Sequence, residues 1–138
     1  MAVRGDKAVW EAETFGEQTI DETIGDLLDR EAECASNKEA LAYRYPEIGL
    51  NLRFTYAQLR DEVNRVARGL MALRIGLGDH VALLASNLPE WVLLEMGLTK
   101  IGAVLVTATT NFRQAELEYV LRQADVHTLV LMDKYRGN

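Results

Sequence analysis

Chemistry in this chain would have to come from a short inventory of side chains. His80 and His127, the single cysteine Cys34, and Asp133 are the groups that could act as base, nucleophile or phospho-acceptor. A base needs a nucleophile and an orienting partner within reach, and neither histidine has one nearby in the sequence. Cys34 falls on an amphipathic pattern, where a small apolar role outweighs a reactive one. Asp133 follows a strand-like run, as a phospho-acceptor would, but the acidic cluster and lysine that should accompany it are missing. Asp61-Glu62 and Glu116/Glu118 read as wetted helix faces, not as paired catalytic carboxylates. The chain contains neither GxGxxG nor GxxxxGK[ST], the loops that cradle phosphates. Gly76-Leu77-Gly78 stands before a strand, the wrong side for a dinucleotide turn. Thr107-Ala108-Thr109-Thr110-Asn111 offers hydroxyls to a ligand, although capping of the next helix explains it more simply. The expected catalytic, cofactor-binding and metal residues are therefore none.

The elements that would position such groups are clearer. Thr23, with Asp26 three residues on, predicts an N-cap and a helix over 24–34, with Leu27, Leu28 and Ala35 inward and a stop at Ser36-Asn37. Leu41–Tyr45 and Leu52–Phe54 flank a Pro-Glu-Ile-Gly turn and predict a hairpin. Thr55-Tyr56-Ala57-Gln58 is a capping box, opening a helix over 56–74 with Leu59, Val63, Val66, Ala67, Leu70 and Met71 on its apolar face and Gly76 as its stop. His80–Leu84, Ala103–Thr107 and Thr128–Met132 are short apolar runs, hence buried strands. Between them lie a helix over 88–101, capped by Asn87 and apolar nearly all round, and one over 113–124 facing inward through Leu117, Val120, Leu121 and Ala124. Strand, helix, strand, helix, strand with short links predicts parallel crossovers. The fold class is α/β, a partial doubly wound βαβαβ sheet preceded by an N-terminal helix and a β-hairpin.

Composition narrows the functional classes. Of 138 residues, 49% are hydrophobic and 26% charged, which suits one soluble domain with a real core. The net charge is −6, and residues 1–47 hold 12 acids against 5 bases. No basic stripe exists to neutralise phosphates, which argues against nucleic acid. One cysteine excludes an internal disulfide and suits a reduced, cytoplasmic setting. No apolar run is long enough to span a bilayer, and the acid-bearing first residues are not a secretory signal. Residues 1–18 read as an arm that Trp10 and Phe15 could anchor, and 19–138 as one unit.

The order of segments carries a resemblance that no single residue does. Thr23-Ile24-Gly25-Asp26-Leu27-Leu28, Phe54-Thr55-Tyr56-Ala57-Gln58-Leu59, Val63-Asn64-Arg65-Val66-Ala67-Arg68-Gly69-Leu70 and Gly78-Asp79-His80-Val81-Ala82 come first. Asn87-Leu88-Pro89-Glu90-Trp91, Lys100-Ile101-Gly102-Ala103-Val104 and Ala115-Glu116-Leu117-Glu118-Tyr119-Val120-Leu121 follow. This series resembles the opening of the adenylate-forming superfamily, in particular acyl-CoA synthetases of the fatty-acid type. His80 departs from the family pattern, where arginine is commoner after Gly-Asp. The resemblance implies a parent enzyme that joins a carboxylic acid to CoA through an acyl-adenylate, using ATP, CoA and Mg and releasing AMP and pyrophosphate. It places the family's phosphate loop, adenine and ribose contacts and catalytic lysine after Asn138, so this chain is expected to be an inactive amino-terminal part of the large adenylation domain. The implied partners are the remainder of the same enzyme and, for the parent, a small carboxylic acid, with self-association through an exposed apolar surface. Two alternatives stay open: a stand-alone non-catalytic α/β binding or regulatory module, and an adenylating enzyme for an aryl or amino acid.

Overall fold

The computed structural model describes residues 20–133. The arm assigned to residues 1–18, with Trp10 and Phe15, lies outside them. The chain runs α1 (Ile24–Cys34), β1 (Glu39–Tyr45), a 3-10 turn (Pro46–Ile48), β2 (Leu50–Thr55), α2 (Tyr56–Ala72), β3 (His80–Leu84), α3 (Pro89–Lys100), β4 (Val104–Ala108), α4 (Gln114–Gln123) and β5 (Thr128–Leu131). The strands β1 and β2 form an antiparallel hairpin, and a separate parallel sheet has the order β4-β3-β5. The two crossovers step in opposite directions from β3 and from β4. Right-handed crossovers of opposite direction put α3 and α4 on opposite faces of the sheet. The predicted α/β class, hairpin and βαβαβ order are all present.

Both threonine boxes close. Thr23 Oγ1 accepts from the Asp26 N–H (3.1 Å), and the Asp26 carboxylate accepts from the Thr23 N–H and hydroxyl (3.3 and 2.7 Å). Thr55 and Gln58 repeat the exchange at 3.3 and 2.9 Å. The next two N–H groups of α2 go to the turn after α1: Tyr56 N–H to Lys38 O and Ala57 N–H to Ser36 O. The free donors of one helix thereby fasten it to the end of another. The Thr23 hydroxyl and N–H hold the Asp26 carboxyl below its ordinary pKa. A depressed folded-state pKa gives stability above the unfolded value that is lost as pH falls through the folded one. Thermal melts of the protein and of Asp26→Asn are therefore expected to converge as pH drops below 3.8, the ordinary value for an aspartate.

The core is one continuous block with two centres. Leu28 of α1 packs with Leu59, Val63 and Leu93, and Leu98 packs with Leu70, Ile75, Val81 and Ala103 against the sheet. The expected inward set of α1 is corrected here: Leu28 and Ala32 are buried, Leu27 is exposed and Ala35 half-buried. Leu28 and Ala32 are four apart and share a face, whereas Leu27 sits about 100° round the helix from Leu28. Met71 fails for the same reason, being next to Leu70 in sequence, and is 60% exposed. Between α3 and its surroundings every residue from Trp91 to Lys100 is at least half-buried, as its all-round apolar pattern requires. Lys100 ends that helix by donating to Asp29 Oδ1 (2.5 Å) on α1 and Asn64 Oδ1 (2.8 Å) on α2, so one ammonium group ties three helices. The central strand β3 is buried on both faces, but β4 and β5 are sheet edges and expose Val104, Thr107 and Leu131.

Each helix that feeds a parallel strand ends in a Schellman motif. After α3, Gly102 takes φ +72° while its N–H reaches Thr99 O and the Ala103 N–H reaches Leu98 O. After α2 the same place belongs to Arg74, φ +64°, with Arg74 N–H to Met71 O and Ile75 N–H to Leu70 O. After α4 it belongs to Asp125, φ +49°. The expected stop at Gly76 is thus two residues late. A non-glycine in this region costs roughly 1–2 kcal/mol, and glycine gives part of that back through its unfolded-state entropy, roughly 0.5–1 kcal/mol. Arg74→Gly is expected to stabilise the fold by about 0.5–1 kcal/mol, read as a higher urea midpoint with an unchanged m-value.

Candidate functional site

Open parallel sheets present ligand sites at the carboxyl ends of their strands. That end is formed by the loop Ala85–Leu88 after β3, the loop Thr109–Arg113 after β4, and Met132-Asp133 after β5. The first and last of these are joined, since the Ser86 N–H and hydroxyl both point to Met132 Sδ (3.2 and 3.4 Å). The hairpin reaches the same place: Tyr43 Oη donates to Asn87 Oδ1 at 2.6 Å and its ring lies 6.0 Å from that of Tyr45. Burial raises the Tyr43 phenol above its ordinary pKa, with the neighbouring Tyr45 and the Glu90 carboxylate adding to it. Asn87 therefore does not cap α3 as expected. Leu88 is the N-cap, and Pro89 supplies the first helical residue, where its missing N–H costs nothing.

Beneath these loops lies a cavity of about 460 Å³ walled by Val66, Leu83, Leu88, Trp91, Leu94 and Met132, with Arg65, Glu90 and Asp133 at its rim. Its chemistry does not fit a nucleotide. The Arg65 guanidinium is engaged by Glu62 (3.0 and 2.5 Å), and the other charged residues that line the cavity, Glu90 and Asp133, are acids and offer a phosphate no cation. The loop after β4 is taken up with its own turn: Thr109 Oγ1 accepts from Asn111 N–H (3.3 Å) and Thr109 O from Phe112 N–H (3.1 Å). Its threonines do not cap α4 either. Arg113 is the N-cap, its N–H going to the Glu116 carboxylate at 2.8 Å, while a guanidinium has no lone pair to return. Among the described residues no group of three or more His, Cys, Asp or Glu is placed to hold a metal ion.

The other singled-out residues scatter. His80 begins β3 at the opposite end of the sheet, half-buried, with Nδ1 2.5 Å from the carbonyl oxygen of Ala124 at the end of α4. That contact belongs to helix termination, where carbonyls point outward and favour a donor. The sequence signal for it, a polar residue at a strand start beside a helix end, is too general to single out. His127 is exposed. Cys34, expected as a small apolar contact, is an exposed free thiol at the last position of α1. The carboxylates of Asp61, Glu62 and Glu118 pair with Arg60, Arg65 and Arg122 on their own helices, as wetted faces do.

Comparison with known proteins locates this arrangement. The family model described as "AMP-binding enzyme" matches residues 28–137. This chain belongs to the AMP-binding enzyme family. YngI of Bacillus subtilis, whose name assigns it by inference to the acyl-CoA synthetases, is 45% identical over 120 residues, covering 87% of this chain and 21% of that protein. The mitochondrial medium-chain acyl-CoA ligase ACSF2 of Rattus norvegicus is 32% identical over 117 residues, 85% of this chain and 18% of the ligase. The N-terminal domain of FACL13 from Mycobacterium tuberculosis superposes with a TM-score of 0.71 at 34% identity, over 79% of this chain and 26% of that one. The N-terminal subdomain of NpsA from Klebsiella oxytoca gives 0.73 at 25% identity, over 82% and 28%. The chain thus spans about a fifth of the length of the curated relatives it matches. Among the described residues no helix is long and apolar enough to cross a membrane.

Proposed function

We propose that residues 19–138 form the amino-terminal part of the large adenylation domain of an ATP-dependent acyl-CoA synthetase, which converts a carboxylic acid, ATP and CoA to acyl-CoA, AMP and pyrophosphate. The single observation that carries this reading is the family match over residues 28–137 together with relatives named as acyl-CoA synthetase and ligase. ATP, CoA and Mg then belong to the whole enzyme and meet residues outside this chain. The chain's own part is to present β3, its loops and α3 as a platform, and by itself it is inert.

The acyl class follows sequence identity more than shape. NpsA, whose complex with 3-hydroxybenzoyl-AMSN points to aryl acids, superposes as well as FACL13 does. Identity to the acyl-CoA relatives is higher, at 45%, 32% and 34% against 25%. A fatty acid is therefore the proposed substrate, and a reduced compartment, with the exposed Cys34 kept as a thiol, the proposed setting.

Two measurements test this. In ATP–pyrophosphate exchange with a panel of fatty, aryl and amino acids, the 138-residue chain is expected to give no turnover, and robust exchange would sink the scaffold reading. Replacing the matched stretch of Bacillus subtilis YngI by this chain is expected to leave fatty acid-dependent acyl-CoA formation in place. A folded chimera that makes none, or that prefers aryl acids, overturns the assignment.

A further inference from the structure

We propose that the corner at the end of α2 is a docking surface for an anionic lipid bilayer. This goes beyond the acyl-CoA reading and does not depend on it. Three large apolar side chains within seven residues stand out from the surface there: Met71 at 60% exposure, Leu73 at 74% and Leu77 at 88%. Met71, Arg74 and Leu77 border one shallow hollow at the amino end of the sheet, far along the strands from the carboxyl-end cavity. The fold holds these residues out. The left-handed turn at Arg74 sends Ile75 into the core and leaves its neighbours outside, and the Leu77 side chain sits directly over Gly102.

Charge selects the partner. The whole chain is at −6, yet from Val63 to Gly78 it carries three arginines and no acid. Arg65 is spent on Glu62, while among the described residues Arg68 and Arg74 make no ion pair. The acid bordering the hollow, Asp79, has its carboxylate on the Gly76 N–H at 2.8 Å. Leucine and methionine tips with arginines beside them match a lipid surface: the tips enter the acyl boundary and the guanidinium groups stay with anionic headgroups. A second copy of this chain would instead bring like charge against like.

The test is co-sedimentation of the 138-residue chain with vesicles of phosphatidylcholine alone and vesicles that also carry phosphatidylglycerol. The chain is expected to pellet with the phosphatidylglycerol vesicles and to lose that binding as salt rises. Leu73→Ser with Leu77→Ser is expected to lower partitioning about tenfold, and Arg68→Gln with Arg74→Gln to abolish the preference for phosphatidylglycerol. All four residues are exposed, so circular dichroism should be unchanged in both variants. Wild-type chain staying in the supernatant overturns the proposal, as does equal binding to both vesicle types. A leucine variant that pellets like wild type, or a dimer in solution that the leucine variant dissolves, overturns it equally.

Discussion

Leu98→Ala is expected to destabilise the protein by about 3 kcal/mol, within the roughly 2–5 kcal/mol seen when buried leucines are truncated. Leu98 is fully buried and stands where α3 meets the sheet, in contact with the group formed by Leu70, Ile75, Val81 and Ala103. Three elements fix the walls of the hole it would leave: α2 through Leu70, β3 through Val81, and the turn after α3 through Ala103. Its carbonyl also accepts the Ala103 N–H that closes the Schellman turn, so the backbone cannot shift to fill the space without opening that cap. The cavity should stay largely open, and the loss should lie above the transfer cost of the atoms removed. Small domains have about 5–15 kcal/mol in all. The measurement is urea unfolding followed by circular dichroism, with a midpoint well below that of wild type. A loss under about 1 kcal/mol would mean that α3 settles onto the sheet freely, contrary to the packing described.

What could be read from the sequence followed from interactions that are local along the chain. A threonine with an acid or amide three residues later closes on itself, so Thr23 and Thr55 mark helix starts to the residue. Apolar runs of five between helical periods gave β3 and β4 to within a residue. Helix ends were less legible. The sequence offers Gly76, but Arg74 takes the left-handed position because Ile75, one place further on, is drawn into the core beside Leu70. Nothing local in Leu73-Arg74-Ile75 announces that choice. Asn87 illustrates a signal that was present and outweighed: the residue before a proline is pushed to extended backbone, which makes Leu88 the N-cap and releases Asn87 to Tyr43.

The site is a different case. The carboxyl-end loops lack phosphate-binding glycines in the sequence, and in the structure their polar groups are turned on one another, Ser86 to Met132 and Thr109 to Asn111. What the sequence could not show is the company these loops keep. Tyr43 lies forty-four residues from Asn87, and the cavity draws on α2, β3, α3 and β5 together. Long-range juxtaposition of that kind is set by the sheet order, and the order β4-β3-β5 is decided by packing and not by any one segment.

Packing is also what Gly97 tests, because there the local and tertiary preferences oppose each other. Glycine inside a helix is worth about 1 kcal/mol less than alanine, so an exposed glycine at this position would be improved by alanine. Gly97 is buried against α2, and a Cβ there would lie 2.9 Å from Val66 Cγ1 and 3.4 Å from the Ala67 backbone nitrogen. Valine is held by its branched Cβ to one rotamer in a helix, so Val66 cannot swing aside. Overpacking of this sort costs roughly 1–3 kcal/mol. Gly97→Ala should therefore lose about 1–2 kcal/mol net, and Gly97→Val, with two further methyl groups in the same gap, about 3 kcal/mol. The sign should reverse once the obstacle is gone: in a Val66→Ala background, Gly97→Ala is expected to be neutral or stabilising. A double-mutant cycle by urea unfolding then gives a coupling above about 1 kcal/mol. Equal losses in both backgrounds would place the obstruction on the α2 backbone instead, and would make the α2–α3 spacing, not the Val66 side chain, the reason glycine is required.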